Sequence, residues 1–220
     1  MSTAVVTGAN RGIGLELCRQ LRERGYDVVG ACRKSSADLQ NTGARVVAGI
    51  DVTEAESVER LAAELAPRSV DLLINNAGRL GEETLGSIDY QSVIDQFATN
   101  AVGPLRVTEA LLPKLASGAK VALITSRMGS ITDNTSGAFY GYRMSKAALN
   151  AAGKSLMHDL QPQGIAVIIL HPGYVSTRMT SNHGQIETDQ SAKLLLQRID
   201  QLTLETSGKF FHANGEELPW

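Results

Sequence analysis

The chain has 220 residues, 43% hydrophobic and 20% charged, a balance that fits one globular domain spanning 1–220. A net charge of -2 with no basic block leaves no footprint for nucleic acid or for an anionic membrane surface. Cys18 and Cys32 lie in no Cys-x-x-Cys or Cys/His cluster, which excludes a disulfide framework and a structural zinc, so no metal is expected.

In chain order, Thr3 to Val6 is an apolar run too short for a signal peptide or a spanning helix. It predicts a first strand, and a cytoplasmic location is the expectation. The run enters Thr7-Gly8-Ala9-Asn10-Arg11-Gly12-Ile13-Gly14, and Leu15 to Leu21 then shows helical spacing of apolar residues. Strand, glycine turn and helix is a setting in which phosphate binds. Glycines let the backbone approach a pyrophosphate, and the helix start offers unpaired N–H groups and a positive dipole end. The spacing is Gly-x-x-x-Gly-x-Gly, not the commoner Gly-x-Gly-x-x-Gly, and glycines after a strand also make plain turns.

Tyr26 to Cys32 predicts a second strand, followed by Arg33-Lys34 and a polar loop. Arg45 to Ile50 predicts a third, ending at Asp51-Val52-Thr53. Thr53 with Glu56 has the spacing of a capping box for a helix carrying Val58, Leu61, Ala62 and Leu65. Val70 to Ile74 is a fourth strand, and a long helical stretch runs from about Ser92 to Leu115, interrupted near Gly103-Pro104. Lys120 to Ile124, Ile165 to Leu170 and Lys209 to Phe211 complete seven strands, with helices at Tyr142 to Leu160 and Gln190 to Leu202. Alternating strands and helices, the strands almost continuous in Val, Ile and Leu, predict an α/β fold. The expected form is a single doubly wound Rossmann domain whose parallel sheet has helices on both faces. Ligands of such sheets bind at the carboxyl ends of the strands. The glycine turn, Arg33, Asp51, Asn75 to Gly78, Ser126 and Pro172-Gly173 all fall there.

Tyr142 and Lys146 are four residues apart on a helix, so they share a face. A free tyrosine has a pKa of about 10, and an ammonium beside it favours the phenolate, which suits proton transfer. Tyr140 is followed four residues later by Met144 and cannot form the same pair. Asn100 precedes Gly103-Pro104, and a buried asparagine there needs partners. His171 has no evident Asp partner, and His158, His183 and His212 lack ligand spacing and read as surface residues.

The second strand ends in Ala31-Cys32, without the carboxylate that an NAD-preferring site places on the ribose, and Arg33 follows at once. A guanidinium grips phosphate with two parallel hydrogen bonds, so NADP(H) is favoured over NAD(H), with Arg11 able to add a second positive charge.

The ordered set Thr7 to Gly14, Asp51, Asn75-Asn76-Ala77-Gly78, Asn100, Ser126, Tyr142-x-x-x-Lys146 and Pro172-Gly173 with Thr177 resembles the short-chain dehydrogenase/reductase family over essentially the whole chain. The compact length and the ending Gly208 to Trp220 resemble its C-factor and sniffer-type carbonyl reductase branch. The resemblance implies hydride transfer between a carbonyl/alcohol pair and a nicotinamide cofactor, with Tyr142 as general acid/base. It implies that Ser126 holds the substrate oxygen, with Ser130 as rival. Lys146 would lower the tyrosine pKa and hold the nicotinamide ribose, and Asn100 would anchor a relay water. Cofactor contacts carried over are Gly8, Asn10, Arg11, Gly12, Ile13, Gly14, Arg33, Asp51 and Val52. To these it adds Asn76, Ala77, Gly78, Tyr142, Lys146, Pro172, Gly173, Val175 and Thr177.

Asn75 is expected to bond neighbouring strand backbone. Met128, Phe139, Tyr140, Tyr174 and Met179 are expected to line a pocket for a small carbonyl or alcohol. The helices around Thr99 to Leu115 and Tyr142 to Leu160, rich in small and apolar residues, are expected to pair in a homodimer. A rival class is a C-factor-like signalling protein that binds the dinucleotide with little turnover. Retention of Asn100, Ser126, Tyr142 and Lys146 favours an enzyme.

Overall fold

In the computed structural model, which describes residues 2–220, the apolar runs form β1 (Thr3–Thr7), β2 (Asp27–Cys32), β3 (Arg45–Ala48), β4 (Val70–Asn75), β5 (Leu115–Ile124), β6 (Ala166–His171) and β7 (Phe210–His212). They pair in parallel in the order β3-β2-β1-β4-β5-β6-β7. The order reverses between β1 and β4, which opens the crevice at their carboxyl ends.

The helices are α1 (Gly12–Glu23), α2 (Ala37–Asn41), α3 (Ala55–Glu64), α4 (Tyr90–Phe97), α5 (Gly103–Leu111), α6 (Tyr140–Leu160) and α7 (Thr188–Asp200). Successive strand side chains point to opposite faces, so each strand feeds two cores. Ala4, Val6, Ile74, Ile168 and Leu170 pack with Leu17 and Leu21 of α1 and Leu195 of α7. Val5, Leu73, Val121, Val167 and Ile169 pack with Leu61 of α3, Val107 of α5 and Leu149 of α6. With both faces covered, the strands have no polar alternation to show, which is why they read as unbroken apolar runs.

Four local expectations change. The box at Thr53 does not form: its hydroxyl and amide both bond Asp51 Oδ1 (2.8 and 3.0 Å), and α3 begins after Glu54. The loop after Arg33 contains α2, whose capping Ser36 accepts from the Leu39 amide and donates to the Asn10 carbonyl at 2.8 Å. The fifth strand starts at Leu115 rather than Lys120, because Leu115 pairs with Val70 before the register shifts to Leu72–Lys120. Gly103-Pro104 does not break the long helix. A π-helical turn at Ala98–Val102 precedes it, and Gly103 is small because a Cβ there would lie 2.7 Å from Val52 Cγ2. An i→i+5 turn re-aims side chains within a continuous helix, and here it carries Asn100.

Candidate active site

Close backbone approach shapes the glycine turn. Gly8 has φ +67, and a Cβ on it would lie 2.8 Å from Ala77 Cα; one on Gly14 would overlap the Gly8 carbonyl. Gly12, at φ +56, opens α1 with the Thr177 methyl 3.7 Å from where its Cβ would be. No side chain caps the first turn of α1, since Arg11 at the cap makes no such bond. The N–H groups that a helix start leaves unpaired therefore face an open turn, which suits a dinucleotide pyrophosphate.

Asn76 helps to support this turn. Its amide donates to the Thr7 carbonyl (3.0 Å), while its own N–H and that of Ala77 both donate to Thr7 Oγ1 (3.0 and 3.1 Å). Asn75 donates to Thr108 Oγ1 at 3.1 Å, so its partner is a side chain of α5 and not strand backbone.

Asp51 and Arg33 end the neighbouring strands 3.9 Å apart, with the Arg33 side chain 74% exposed. Burial pushes the Asp51 carboxyl up, but the two Thr53 bonds and the Arg33 charge outweigh it and hold the group below the usual carboxylate range. Val52 is buried, and its carbonyl accepts from Arg106 at 2.9 Å. On the opposite side, Pro172 and Gly173 follow β6, and the Pro172 carbonyl accepts from Ser191 at 2.8 Å. Val175 bridges to Ile186, its carbonyl taking the Thr180 hydroxyl at 2.7 Å, and Thr177 and Thr180 cap each other's turn.

Tyr142 lies in the first turn of α6 and Lys146 in the second. A Cβ at Gly129 would lie 2.7 Å from the Lys146 carbonyl carbon, so Ser-x-x-Gly lets the loop after β5 press against α6. That contact brings Ser126 to the tyrosine. The Met128 amide donates to Ser126 Oγ at 3.1 Å, and the serine side chain lies close enough to the Tyr142 phenol to act against the rise in its pKa. Ser130 instead donates to the Trp220 carbonyl (3.0 Å) and accepts from the Asp133 amide.

Lys146 is 4% exposed and its Nζ donates to the Ile124 carbonyl at 2.9 Å, 5.7 Å from the centroid of the Tyr142 ring. Burial drives both groups towards neutrality. Tyr142 is pushed up to about 12 despite the opposing effect of the Ser126 side chain, and Lys146 is pushed down to about 7. The chain alone therefore does not lower the tyrosine pKa as expected. The lysine has lost its own hydration, and its ammonium is turned to a carbonyl.

Asn100 is fully buried in the π turn. Its oxygen accepts from the Arg79 amide (2.8 Å), and its nitrogen donates to the Arg79 carbonyl (2.8 Å) and to Ser145 Oγ (3.0 Å). The side chain ties the loop after β4 to α6. It borders Gly78, where a Cβ would sit 3.4 Å from Asn100 Oδ1 and 3.9 Å from Lys146 Nζ. His171 stacks edge-on against His212 at 4.8 Å, so His212 is half-buried rather than free on the surface. Burial and the neighbouring positive charges hold His171 neutral, down at about 3. Tyr174 and Met179 are exposed and Met128, Phe139 and Tyr140 partly so. Among the described residues no group of His, Cys, Asp or Glu could hold a metal, and no helix is long and apolar enough to cross a membrane.

An uncapped glycine turn at the switch point of a doubly wound sheet, with half-buried Tyr142 and buried Lys146 at the same strand ends, defines a dinucleotide-dependent α/β protein. The chain belongs to the short chain dehydrogenase family, which it matches over residues 2–188, and it is an oxidoreductase of the kind that takes a nicotinamide dinucleotide. A 1-hydroxy-2-glutathionyl-2-methyl-3-butene dehydrogenase from Rhodococcus sp. (strain AD45) is 46% identical over 226 positions, covering 100% of both chains. The C-signal protein of Myxococcus xanthus is 49% identical over 154 positions, 69% of this chain and 93% of that one. An NADPH-bound carbonyl reductase from chicken fatty liver superposes with a TM-score of 0.92 at 29% identity, over 100% of this chain and 99% of that one.

Proposed function

We propose that the chain is an NADP(H)-dependent oxidoreductase that interconverts a carbonyl and an alcohol, with Tyr142 as general acid/base. The placement of Tyr142 between the Ser126 side chain and buried Lys146, whose Nζ lies 5.7 Å from the tyrosine ring centroid, carries this reading. A carbonyl oxygen in reach of both hydroxyls would be held by Ser126 and protonated by Tyr142 during reduction. The bound cofactor supplies the hydride in that direction and takes it up in reverse. Lys146, poised to titrate at about 7, donates to the nicotinamide ribose and exchanges protons with the tyrosine. Asn100 holds Gly78 against this pair. Gly8, Asn10, Arg11, Gly12, Ile13 and Gly14 take the pyrophosphate and Asp51 and Val52 the adenine, while Ala77, Gly78, Pro172, Gly173, Val175 and Thr177 enclose the nicotinamide half.

The test is consumption of NADPH with a panel of aldehydes and diketones, and formation of NADPH with alcohols. The name of the Rhodococcus relative describes an alcohol carrying a glutathionyl group, so glutathione-conjugated alcohols belong in the panel. Binding of NADPH without turnover on any of them would replace this reading with a signalling role, which the C-signal likeness favours.

The preference for NADP(H) rests on Arg33, exposed beyond a strand end that has no carboxylate, and on the NADPH-bound neighbour. Arg33→Ala should erode the ratio of kcat/KM for NADPH over NADH by roughly 10-fold or more, while sparing NADH, as loss of a charge-assisted pair implies. A parent enzyme that prefers NADH would remove the claim.

The chain acts as a cytoplasmic homodimer in this reading. Its two cysteines are free and buried, as suits a reducing compartment. Tyr90, Ile94 and Phe97 recur at helical spacing along α4, Leu105 continues on α5, and Met144 stands on α6, all exposed. The stripe begins earlier than the expected Thr99. Buried on a partner, it would explain surface that a monomer has no reason to leave apolar. Light scattering at micromolar protein should give twice the chain mass, and Ile94→Lys should give the monomer; a monomeric parent would end the idea.

A further inference from the structure

Glu83 is a carboxylate outside every motif above, 4% exposed in the loop after β4. Its Oε1 accepts from Ser92 Oγ (2.9 Å) and from the Gln96 amide (2.6 Å), and its Oε2 accepts from the Gly141 N–H (3.2 Å). Its carbonyl accepts from the Phe139 N–H at 2.7 Å. Gln96, fully buried, is fixed in turn by the Gly81 N–H donating to its oxygen at 2.8 Å.

These bonds fall on one feature, the start of α6. A helix normally satisfies its first N–H groups with a polar side chain at the cap. Here the cap residue is Phe139, which has no acceptor and sits at φ 53 behind Ala138 at φ 52. Two successive non-glycine residues in the left-handed region are strained. Glu83 supplies both missing restraints from another segment. Its carbonyl holds the strained residue, and its carboxylate caps the second helical residue, where a negative charge meets the positive end of the dipole. Packing is tight enough that a Cβ on Gly141 would lie 2.5 Å from Gln96 Nε2.

The next residue is Tyr142. Lys146 is held separately, through Ile124, so a frayed first turn would move the tyrosine while leaving the lysine in place. We propose that Glu83 is a positioning residue for Tyr142, clamping the first turn of α6 so that the tyrosine hydroxyl stays against Ser126. This rests on the reading of Tyr142 as the acid.

Glu83→Gln leaves one oxygen to serve donors on both sides, so either Gln96 or Gly141 loses its acceptor. Its kcat for carbonyl reduction should fall ~10- to 100-fold, the effect of a small misplacement of a reacting group, with the dissociation constant for NADPH unchanged. First-turn amides of α6 should exchange with deuterium about 10-fold faster or more, reporting a local opening. Combining Glu83→Gln with Gln96→Glu reverses the donor and acceptor across the same contact, and should restore both kcat and protection. In a Tyr142→Phe background, Glu83→Gln should cost no further activity. Should Glu83→Gln fail to fold, Glu83→Asp keeps the charge but withdraws it from Gly141, and the same selective loss is expected. Unchanged kcat and exchange, or a loss that adds in full to that of Tyr142→Phe, would overturn the proposal. A parent protein that reduces no carbonyl would instead overturn the proposed function, and amide exchange would still decide the clamp.

Discussion

Tyr142→Phe is expected to lower kcat for carbonyl reduction by roughly 100- to 10,000-fold, the usual worth of a positioned general acid, without unfolding the chain. The substitution removes one hydroxyl, near the Ser126 side chain, and leaves the ring beside Lys146. Thermal stability and NADPH binding should therefore survive. The pH dependence supplies an independent readout. Burial pushes Tyr142 up to about 12, so the proton needed for reduction stays on the tyrosine throughout the ordinary range. The phenolate needed for alcohol oxidation becomes more populated as pH rises. Parent kcat/KM for oxidation should climb with pH relative to that for reduction. A variant that keeps more than about half of the parent rate on every active carbonyl would show that another group is the acid, since general acid catalysis is worth far more than twofold.

Lys146→Met should separate activity from stability. Activity should fall by roughly 100-fold or more, the scale of losing a preorganised charge in a site sheltered from water. The free chain should become more stable near neutral pH. Lys146 titrates at about 7 in the folded chain, against an ordinary value of 10.5. The unfolded chain thus binds a proton that the folded one rejects between those values, and stability rises with pH across that window. Above 10.5 both states are neutral and the burden vanishes; below 7 it is complete. Methionine carries none of it, though it forfeits the bond to Ile124. The expected gain is on the order of 1–2 kcal/mol at pH 7, or roughly 2–8 °C in Tm, shrinking by pH 10. A variant less stable than the parent at pH 7, and equally so at pH 10, would mean that the buried amine is well accommodated.

Much of the site was readable because its motifs are local. Gly8 to Gly14 needs only the conformational freedom and small size of glycine next to a strand end, and Tyr142 and Lys146 need only the helical repeat. The reason for a glycine at 129 was not readable: Lys146 backbone lies against it. Ser126 and its rival Ser130 are separated by what each meets, the first lying at Tyr142 and the second donating to the Trp220 carbonyl. That the Asn76 side-chain nitrogen also ties the glycine turn to Thr7, 69 residues away in the chain, was not readable. Glu83 gave no signal at all, being one acid in a polar loop until Gly141, 58 residues on, folds against it.

The sequence by itself therefore determined the parallel sheet, the two cores and the order in which the motifs reach the strand ends. Those follow from the periodicity with which each element buries apolar side chains, a property of short stretches of chain. Only the tertiary structure decided which polar atoms are already taken, where strand five begins, and which way the pKa values of Tyr142 and Lys146 move. Hydrogen-bond satisfaction and desolvation depend on groups distant in the chain, and no local pattern carries them.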